Sequence, residues 1–224
     1  MTPKFGAVAF DLDGTLYPNR RLYRRLVPFV LANPRLMLAF SKARGVIRRE
    51  QETEPGLRRE DFYRYQAALT AGFLGGDTGV VAGKIEAMMY RGWEPLFTKI
   101  RLFARARELL VDLRAAGVKL ALLSDFPPET KLANLGIGDL WDAVLCSERT
   151  GALKPSPVPF LETADALGCR PRDILYVGNS RRYDVAGAAR AGMKTALVSR
   201  SSGGVPRADF TFRDYRQLRA FVLG

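Results

Sequence analysis

The order of apolar and polar residues divides the chain into two kinds of region. Short apolar runs lie near the start of the chain and at intervals after residue 117, and each ends at charged or turn-forming residues. Runs of this kind are typical of buried strands. The pattern predicts strands at 5–10, 118–123, 142–146, 173–178, 193–198 and 208–212.

Amphipathic stretches separate these runs. They predict helices at about 101–116, from Pro128 onward, and at about 157–167, 184–191 and 214–222. Strands that alternate with helices are typical of a parallel, doubly wound sheet. We therefore predict an α/β fold with a Rossmann-like core.

Residues 20–95 have a different pattern, which is helical and contains no convincing strand. Because this segment is inserted directly after the first strand, it is placed to cover the carboxyl end of that strand. The sequence thus predicts an α/β core domain formed by 1–19 and 96–224, and an inserted helical cap domain formed by 20–95. The glycine-rich stretch 72–81 follows no predicted strand, so we do not interpret it as a nucleotide loop.

One apolar stretch of the cap, between Leu26 and Phe40, is broken by Pro28 and by residues 33–35. It is shorter than the roughly 20 apolar residues that a membrane span needs. Two interpretations remain, a membrane-surface helix and a helical lid whose apolar side packs on the core, and we favour the lid. The stretch is flanked by basic residues, which are Arg20, Arg21, Arg24, Arg25, Lys42, Arg44, Arg48 and Arg49.

Composition excludes several classes of site. The 224 residues contain no histidine, which excludes histidine-based triads and the usual zinc-enzyme ligand sets. The two cysteines, Cys146 and Cys169, form no CxxC pair, so we expect reduced thiols. The opening MTPK leads straight into the first strand without a signal peptide, and we expect a cytoplasmic protein.

The chain is strongly basic, with a formal net charge of +12 and a sequence pI of about 10.1. Such a charge raises the question of an anionic partner. No motif of a known DNA- or RNA-binding module is present, so we expect no nucleic-acid partner. Biased use of arginine explains the excess at least as well.

Two carboxylates, Asp11 and Asp13, follow the first strand, and Gly14 and Thr15 follow them. Residues two apart in a strand point the same way, so both carboxylates should project from its carboxyl end. In an open α/β sheet this edge is where ligands bind. Two carboxylates so close together repel each other unless a cation lies between them. The alternative is that the segment is only a turn, in which Asp and Gly are common.

Other polar residues occupy comparable positions. Ser124 ends the second alternating strand, Lys154 lies in a loop before a helix, and Asn179 and Asp184 follow the fourth strand. Each signal is weak alone, because a serine at such a junction is usually a helix cap and a loop lysine is usually a solvated charge.

Together these segments resemble the haloacid dehalogenase superfamily. DLDGTLYPN resembles its first motif, Ser124 its second, Lys154 with the following proline its third, and VGNSRRYDVAGAARAG its fourth. The position of the insert resembles the class whose helical cap lies between the first and second motifs.

The resemblance implies a magnesium-dependent phosphohydrolase that acts on a small phosphorylated metabolite. In that mechanism Asp11 attacks phosphorus to form an aspartyl-phosphate, and Asp13 acts as general acid and base. Ser124 and Lys154 assist catalysis by contacting the phosphoryl oxygens. The resemblance implies Mg²⁺ binding by Asp11, Asp13, Asn179 and Asp184. It implies phosphate binding by Asp11, Gly14, Thr15, Ser124, Asp125 and Lys154.

Two positions depart from the family pattern. The residue after the second-motif Ser is commonly Asn but here is Asp125, and the fourth motif commonly begins with Asp but here has Asn179. Together the changes move one carboxylate to a neighbouring loop, so we hypothesise that Asp125 supports the magnesium. The alternative is that Asp125 caps the helix that starts near Pro128, and that Asp184 alone serves the metal.

Three other functions remain open for the chain. A dehalogenase of the same superfamily would use the nucleophile without a metal, but those enzymes lack the second aspartate. A phosphotransferase or phosphomutase would share the motifs. A non-catalytic relative would bind phosphate or a protein through the basic cap, and the change at Asn179 leaves this alternative open.

Overall fold

A computed structural model describes residues 3–199 and 206–224, apart from the side chain of Arg21. Within this part of the chain, six parallel strands form one sheet in the order β3-β2-β1-β4-β5-β6. The strands are β1 Ala7–Phe10, β2 Lys119–Ser124, β3 Ala143–Cys146, β4 Ile174–Gly178, β5 Lys194–Val198 and β6 Phe210–Phe212.

Helices cover the sheet and form the insert. The insert contains α1 Asn19–Ala32, α2 Pro34–Thr53, α3 Phe62–Leu74 and α4 Thr78–Ile85. It continues through a π-helical turn, Glu86–Arg91, and a 3₁₀ helix, Glu94–Lys99. The core contains α5 Ala106–Ala115, α6 Glu129–Leu135, α7 Val158–Leu167, α8 Ala186–Arg190 and α9 Tyr215–Leu223. Short turns of 3₁₀ or π helix also occur at Ser147–Thr150, Pro171–Asp173 and Arg181–Val185.

The alternation of side chains in β1 explains how the sheet is buried on both faces. Val8 and Phe10 pack into the larger hydrophobic cluster, which contains residues of α5 and α9. Ala7 and Ala9 point to the other face, where their small side chains leave room for a cluster that includes Phe160 of α7. Such burial on both faces is typical of parallel sheets covered by helices.

The strand order places a crevice above β1. The chain moves from β1 to β2 and β3 on one side of the sheet and returns to β4 on the other, so the order reverses between β1 and β4. The N–H of Asp11 donates to the Val177 carbonyl at 2.9 Å, which ties the residue after β1 to β4. In open α/β sheets, ligands bind at the carboxyl ends of the strands at this switch point.

The predicted fold is confirmed. All six strands start and end within two residues of the predicted bounds, and the insert between β1 and α5 is helical. One prediction was wrong in detail: Asp184 does not open a helix over 184–191. It lies inside the π-helical turn Arg181–Val185, and the Ser180 side chain caps that turn by accepting the Tyr183 N–H. No helix in the described ranges is long and apolar enough to cross a membrane.

The insert contacts the core partly through apolar side chains. Leu22 and Leu26 of α1 belong to the main core cluster, as the interpretation as a lid predicts. Leu36 and Phe40 of α2 belong instead to a second cluster, formed mainly by the insert, against which Phe126 of the core packs. The broken apolar stretch therefore supplies two different hydrophobic clusters.

The insert also contacts the core through buried polar groups. Arg44 of α2 donates to the carboxylate of Glu148, which lies in the 3₁₀ turn after β3. Gln51, two turns further along α2, donates to the Gly151 carbonyl at 3.3 Å and accepts the Leu153 N–H at 3.1 Å. These bonds fix α2 in one register above the core.

The Arg44–Glu148 pair is almost fully removed from solvent, with side chains 6% and 0% exposed. Burial raises the pKa of Glu148 to about 7, and the positive charge of Arg44 acts in the opposite direction. A buried pair of this kind gains little net stability, but loss of one partner leaves an uncompensated buried charge.

We predict that Arg44→Met lowers the free energy of unfolding by about 3–5 kcal/mol, because Glu148 is left buried without its partner. Adding Glu148→Met should recover most of the loss, since no charge then remains to be desolvated. Urea titration followed by circular dichroism measures both variants.

A matched control exists in the same interface. Arg58 of the insert pairs with Glu162 of α7, but these side chains are 51% and 30% exposed. Arg58→Met should cost less than about 1 kcal/mol, as exposed ion pairs do. Equal losses from Arg44→Met and Arg58→Met would show that burial does not govern this interface.

Candidate functional site

The site begins with Asp11, the first residue after β1. Its buried carboxylate accepts a hydrogen bond from the Thr15 hydroxyl at 2.8 Å and one from Lys154 Nζ at 2.7 Å. Gly14 has a φ of +90°, which allows the tight turn that brings Thr15 back to Asp11. Burial raises the pKa of Asp11 to about 7, against the opposing charge of Lys154.

Lys154 joins two strand ends. Its buried ammonium lies 2.7 Å from Asp11 Oδ1 and 2.8 Å from Asp184 Oδ1. Burial alone would lower the pKa of Lys154, but the charges of Asp11 and Asp184 hold it well above its ordinary value. The lysine is therefore a fixed cation between the loops that follow β1 and β4.

Asp184 and Asn179 organise the loop after β4. Asp184 Oδ2 accepts the N–H groups of Asn179 at 3.1 Å and Ser180 at 2.9 Å, while its other oxygen faces Lys154. The Asn179 side chain donates to the Asp13 carbonyl at 3.1 Å. A Cβ at Gly14 would lie 1.9 Å from Asn179 Nδ2, so only glycine leaves room for this contact.

These contacts bring together the four residues predicted to bind metal. Each oxygen of Asp184 already has a donor, and the Asp13 carbonyl has the Asn179 amide. Over the described ranges, no group of three or more His, Cys, Asp or Glu side chains forms a metal cluster. The metal-binding roles stay predictions.

Asp13 has partners that the sequence did not indicate. Its half-buried carboxylate receives Lys131 Nζ at 2.8 and 2.9 Å, and the Tyr17 hydroxyl also donates to it. Burial, and then the charge of Asp13, raise the pKa of Tyr17, so its phenol stays protonated as a donor. Lys131 itself is buried on the first turn of α6. Asp13 is thus held by two donors that do not contact Asp11 through a hydrogen bond.

Ser124 is the last residue of β2. Its side chain is fully buried, and its hydroxyl oxygen accepts the Phe126 N–H at 3.3 Å. Ser124 is not among the residues that line the cavity described below. Its contact with a phosphoryl group stays a prediction.

Asp125 faces the insert. Its carboxylate accepts from Arg48 at 2.9 Å and from the Lys154 N–H at 3.4 Å, and Arg44 lies 3.5 Å away. The helix that follows it has no side-chain cap, so Asp125 does not cap α6 as the alternative supposed. Burial raises its pKa, but the charges of Arg48 and Lys154 outweigh burial and lower the pKa to about 2.

Arg48 connects the insert to the site. Besides Asp125, it donates to the Lys154 carbonyl at 3.0 Å, and its guanidinium lies 4.6 Å from the centre of the Tyr183 ring. Arg48 therefore touches the loops after β2, β3 and β4 from one position on α2. From the sequence, Arg48 was only one of several basic residues beside the apolar stretch.

One cavity of about 1180 Å³ lies over these groups. Three of the predicted site residues, Gly14, Thr15 and Ser124, are not among the residues that line it. Of the predicted site residues, those that line it are Asp11, Asp13, Asp125, Lys154, Asn179 and Asp184.

Comparison with known proteins agrees with this geometry. A family model described as haloacid dehalogenase-like hydrolase matches residues 5–192. The chain belongs to that family. The resemblance seen in the four motifs is thereby confirmed.

Curated relatives cover most of the chain. Glyceraldehyde 3-phosphate phosphatase of Methanothermobacter thermautotrophicus is 30% identical over 86% of this chain and 85% of its own length. Ribulose-1,5-bisphosphate 5-phosphatase of Halopiger xanaduensis is also 30% identical, over 87% of this chain and 85% of its own length. Both relatives are named as phosphatases of small phosphorylated compounds.

Solved structures share the fold. A haloacid dehalogenase-type phosphatase from Thermococcus onnurineus superposes with a TM-score of 0.65 at 23% identity, covering 100% of this chain and 98% of that one. The L-2-haloacid dehalogenase of Xanthobacter autotrophicus superposes with a TM-score of 0.66 at 20% identity, covering 98% and 99%. Phosphatases and dehalogenases thus share this architecture, and the choice between them depends on the site.

We predict that Asp125→Asn lowers the free energy of unfolding at pH 7 by about 1–3 kcal/mol, because charged hydrogen bonds to Arg48 are lost. The pKa of Asp125 is lowered on folding, so its contribution is present above the ordinary value of 3.8 and is lost as the pH falls toward 2. Urea titrations between pH 7 and pH 3 should therefore show the two proteins converging.

Asp139→Asn, at an exposed aspartate, is the control and should show no such convergence. The Asp125→Asn variant also tests the hypothesis that Asp125 supports a magnesium ion. If Asp125 supports a metal, Asn179→Asp will restore the magnesium activation that Asp125→Asn weakens, and the two effects will not be additive. Additive effects would leave Asp125 with its role at the insert alone.

Proposed function

We propose that this chain is a magnesium-dependent phosphohydrolase that cleaves a phosphomonoester through an aspartyl-phosphate on Asp11. The observation that supports this best is the pairing of two differently held carboxylates in one cavity. Asp11 is fixed by Thr15 and Lys154, and Asp13 is fixed separately by Lys131. Relatives named as phosphatases over most of the chain support the same reaction class.

Asp11 is suited to act as the nucleophile. Two donors fix its orientation, and Lys154 offsets part of its charge and of the charge on an incoming phosphoryl group. A carboxylate oxygen of Asp11 attacks phosphorus, and the bond from phosphorus to the ester oxygen breaks. Water then attacks the aspartyl-phosphate, releases phosphate and restores the carboxylate.

Asp13 is suited to move the proton in both steps. It gives a proton to the leaving alkoxide and then takes one from the attacking water. The ammonium of Lys131 lies 2.8 Å from a carboxylate oxygen of Asp13. Lys131 and the Tyr17 hydroxyl also fix the direction of the Asp13 side chain.

The donors near Asp11 fit a magnesium ion in kind. The Asp11 carboxylate, the Asp13 carbonyl and the Asn179 side chain are oxygen donors of the type that Mg²⁺ prefers, and they lie around Gly14. Asn19, whose side chain also packs over Gly14, has a buried Oδ1 without a hydrogen-bond partner. Magnesium bound there would supply positive charge to the phosphoryl oxygens.

The cations of the site are already paired with carboxylates, which also favours a bound magnesium ion. Lys154 already pairs with Asp11 and Asp184, Lys131 pairs with Asp13, and Arg48 pairs with Asp125, as their separations of 2.7–2.9 Å show. These cations are neutralised before substrate enters. A phosphate dianion placed among them therefore calls for additional positive charge.

A dehalogenase reaction is supported less well. That chemistry uses a nucleophilic carboxylate without the second one, whereas Asp13 here is held in place by Lys131 and Tyr17. The likeness to solved dehalogenases extends to the fold.

We predict that Asp11→Asn lowers kcat for p-nitrophenyl phosphate by at least about 10³-fold, because the amide cannot attack phosphorus. The fold should be retained, since the change also removes a buried charge. Phosphate release is measured with magnesium and after its removal by EDTA. Asp165→Asn on the exposed face of α7 is the matched control and should keep full activity. Activity of a few per cent or more in pure Asp11→Asn protein would contradict the mechanism.

We predict that Lys131→Met lowers kcat about 10- to 100-fold with a smaller effect on KM, because a misdirected Asp13 slows proton transfer. Lys131→Arg should recover part of the rate, which a merely structural lysine would not require. Lys119→Met is the control, because Lys119 donates to the Leu167 carbonyl at the opposite edge of the sheet. A loss confined to stability, with kcat unchanged, would remove Lys131 from the mechanism.

A further inference from the structure

The cavity above Asp11 is larger than a small phosphate ester needs. A three-carbon phosphate has roughly ten heavy atoms and occupies about 300 Å³ if each takes the volume of one water molecule. The cavity measures about 1180 Å³, which exceeds the range of about 300–1,000 Å³ typical of sites for drug-sized ligands. Most of this space is therefore available to the group that carries the phosphate.

Part of the wall of that space is apolar, and α1 supplies most of this apolar part. Six lining residues recur at spacings of three and four and so form one face of the helix; they are Leu22, Tyr23, Leu26, Val27, Val30 and Leu31. Arg20 and Arg24 of the same helix are exposed and do not line the cavity. We call these six residues the α1 strip.

Only part of the α1 strip is needed to hold the fold. Leu22 and Leu26 are buried in the core cluster. Tyr23, Val27 and Leu31 are 60%, 50% and 73% exposed, although they border the cavity that contains Asp11. Exposed apolar side chains grouped in this way mark binding sites, because covering them removes apolar surface from water.

Three further apolar residues from other parts of the chain line the cavity. Met37 of α2, Trp93 and Phe126 line the cavity, and the two aromatic rings pack edge-on with centroids 5.9 Å apart. Charged residues share the cavity with these apolar ones, and they include Asp11 and Lys154 as well as Arg48, Arg181 and Arg182. The cavity is thus amphipathic, with groups that can hold an anion and an apolar surface beside them.

We propose that the substrate is the monophosphate of an alcohol with an extended apolar group, and that this group lies along the α1 strip. The proposal rests on the phosphohydrolase function proposed above and names its substrate class. From Leu22 to Leu31 the helix rises about 13 Å, which matches an extended alkyl chain of roughly ten carbons.

The test is a series of n-alkyl monophosphates from ethyl to dodecyl, each below its micellar concentration, with phosphate release measured. We expect kcat/KM to rise about three- to fourfold per methylene group, as burial of a CH₂ implies, and to level off near decyl. Equal kcat/KM across the series, with ethyl phosphate hydrolysed in an Asp11-dependent manner, would overturn the apolar site and leave the phosphohydrolase function standing.

A matched pair of variants locates the effect. Val27 and Val80 are exposed valines of the insert, 50% and 58% exposed, and only Val27 lines the cavity. Val27→Asn should lower the ratio of kcat/KM for decyl phosphate to that for ethyl phosphate by about tenfold, whereas Val80→Asn should leave it unchanged. An equal ratio in both variants would contradict the assignment to the α1 strip.

A binding measurement covers the case in which no phosphomonoester is cleaved, which would refute the proposed function. Calorimetric titration of Asp11→Asn protein with decyl phosphonate should show binding at least tenfold tighter than with ethyl phosphonate. Equal binding of the two would overturn the apolar site as well.

The source of the substrate is settled by comparing monomeric decyl phosphate with phosphatidic acid in phosphatidylcholine vesicles. Cleavage of the first indicates a dissolved amphiphile, cleavage of the second a substrate within a bilayer, and both agree with the proposal. Sedimentation with phosphatidylserine vesicles that is lost in Val27→Asn, together with no dependence on chain length, would instead assign the α1 strip to a membrane surface.

Discussion

The structure depends on one buried cation, the ammonium of Lys154, which lies between the carboxylates of Asp11 and Asp184. Removing three charges from water is costly unless each has close partners of opposite sign. Those partners come from the loops after β1, β3 and β4, so the same constraint that makes the charges tolerable also fixes the three loops relative to one another. The carboxyl edge of the sheet is therefore organised electrostatically, whereas the sheet itself is held by apolar packing.

The insert is attached to this edge by a second set of charges. Arg48 binds Asp125 and the Lys154 carbonyl, and Arg44 binds Glu148. Two arginines of α2 therefore fix the insert to the core loops. Because these groups are buried or half-buried, a shifted insert would leave several of them unpaired. This gives a physical reason for Asp125 in place of the usual family asparagine: its charge has a structural partner in this chain. The magnesium role suggested by Asn179 is a separate question, which the variants of both residues address.

Much of the fold and part of the site could be predicted from the sequence. Apolar runs bounded by turn residues gave the six strands because a parallel sheet buries both faces, and the position of Asp11 and Asp13 after β1 followed from the strand. Lys131 could not be predicted, because a lysine on a short helix is ordinarily solvated and only the tertiary fold brings it to Asp13. The pairing of Arg44 with Glu148 could not be predicted either, since the two residues are 104 positions apart in the chain and no local pattern links them. The role given to Ser124 came from the family resemblance, and its buried position shows how a motif can fix a residue type without fixing its exposure.

The sequence pattern of α1 does not determine what its apolar face contacts. A helix with apolar residues at spacings of three and four is equally suited to pack on a core, to lie on a membrane or to line a cavity. What separates these cases is the position of the face relative to other groups, and here Val27 and Leu31 border the same space as Asp11. The charged groups follow strand ends and so are tied to the sheet, whereas Val27 and Leu31 of α1 are exposed and lie outside the core clusters. In the proposed mode of substrate binding, reaction chemistry and substrate choice therefore depend on different residues, and changes at Val27 and Leu31 can alter the second without disturbing the first.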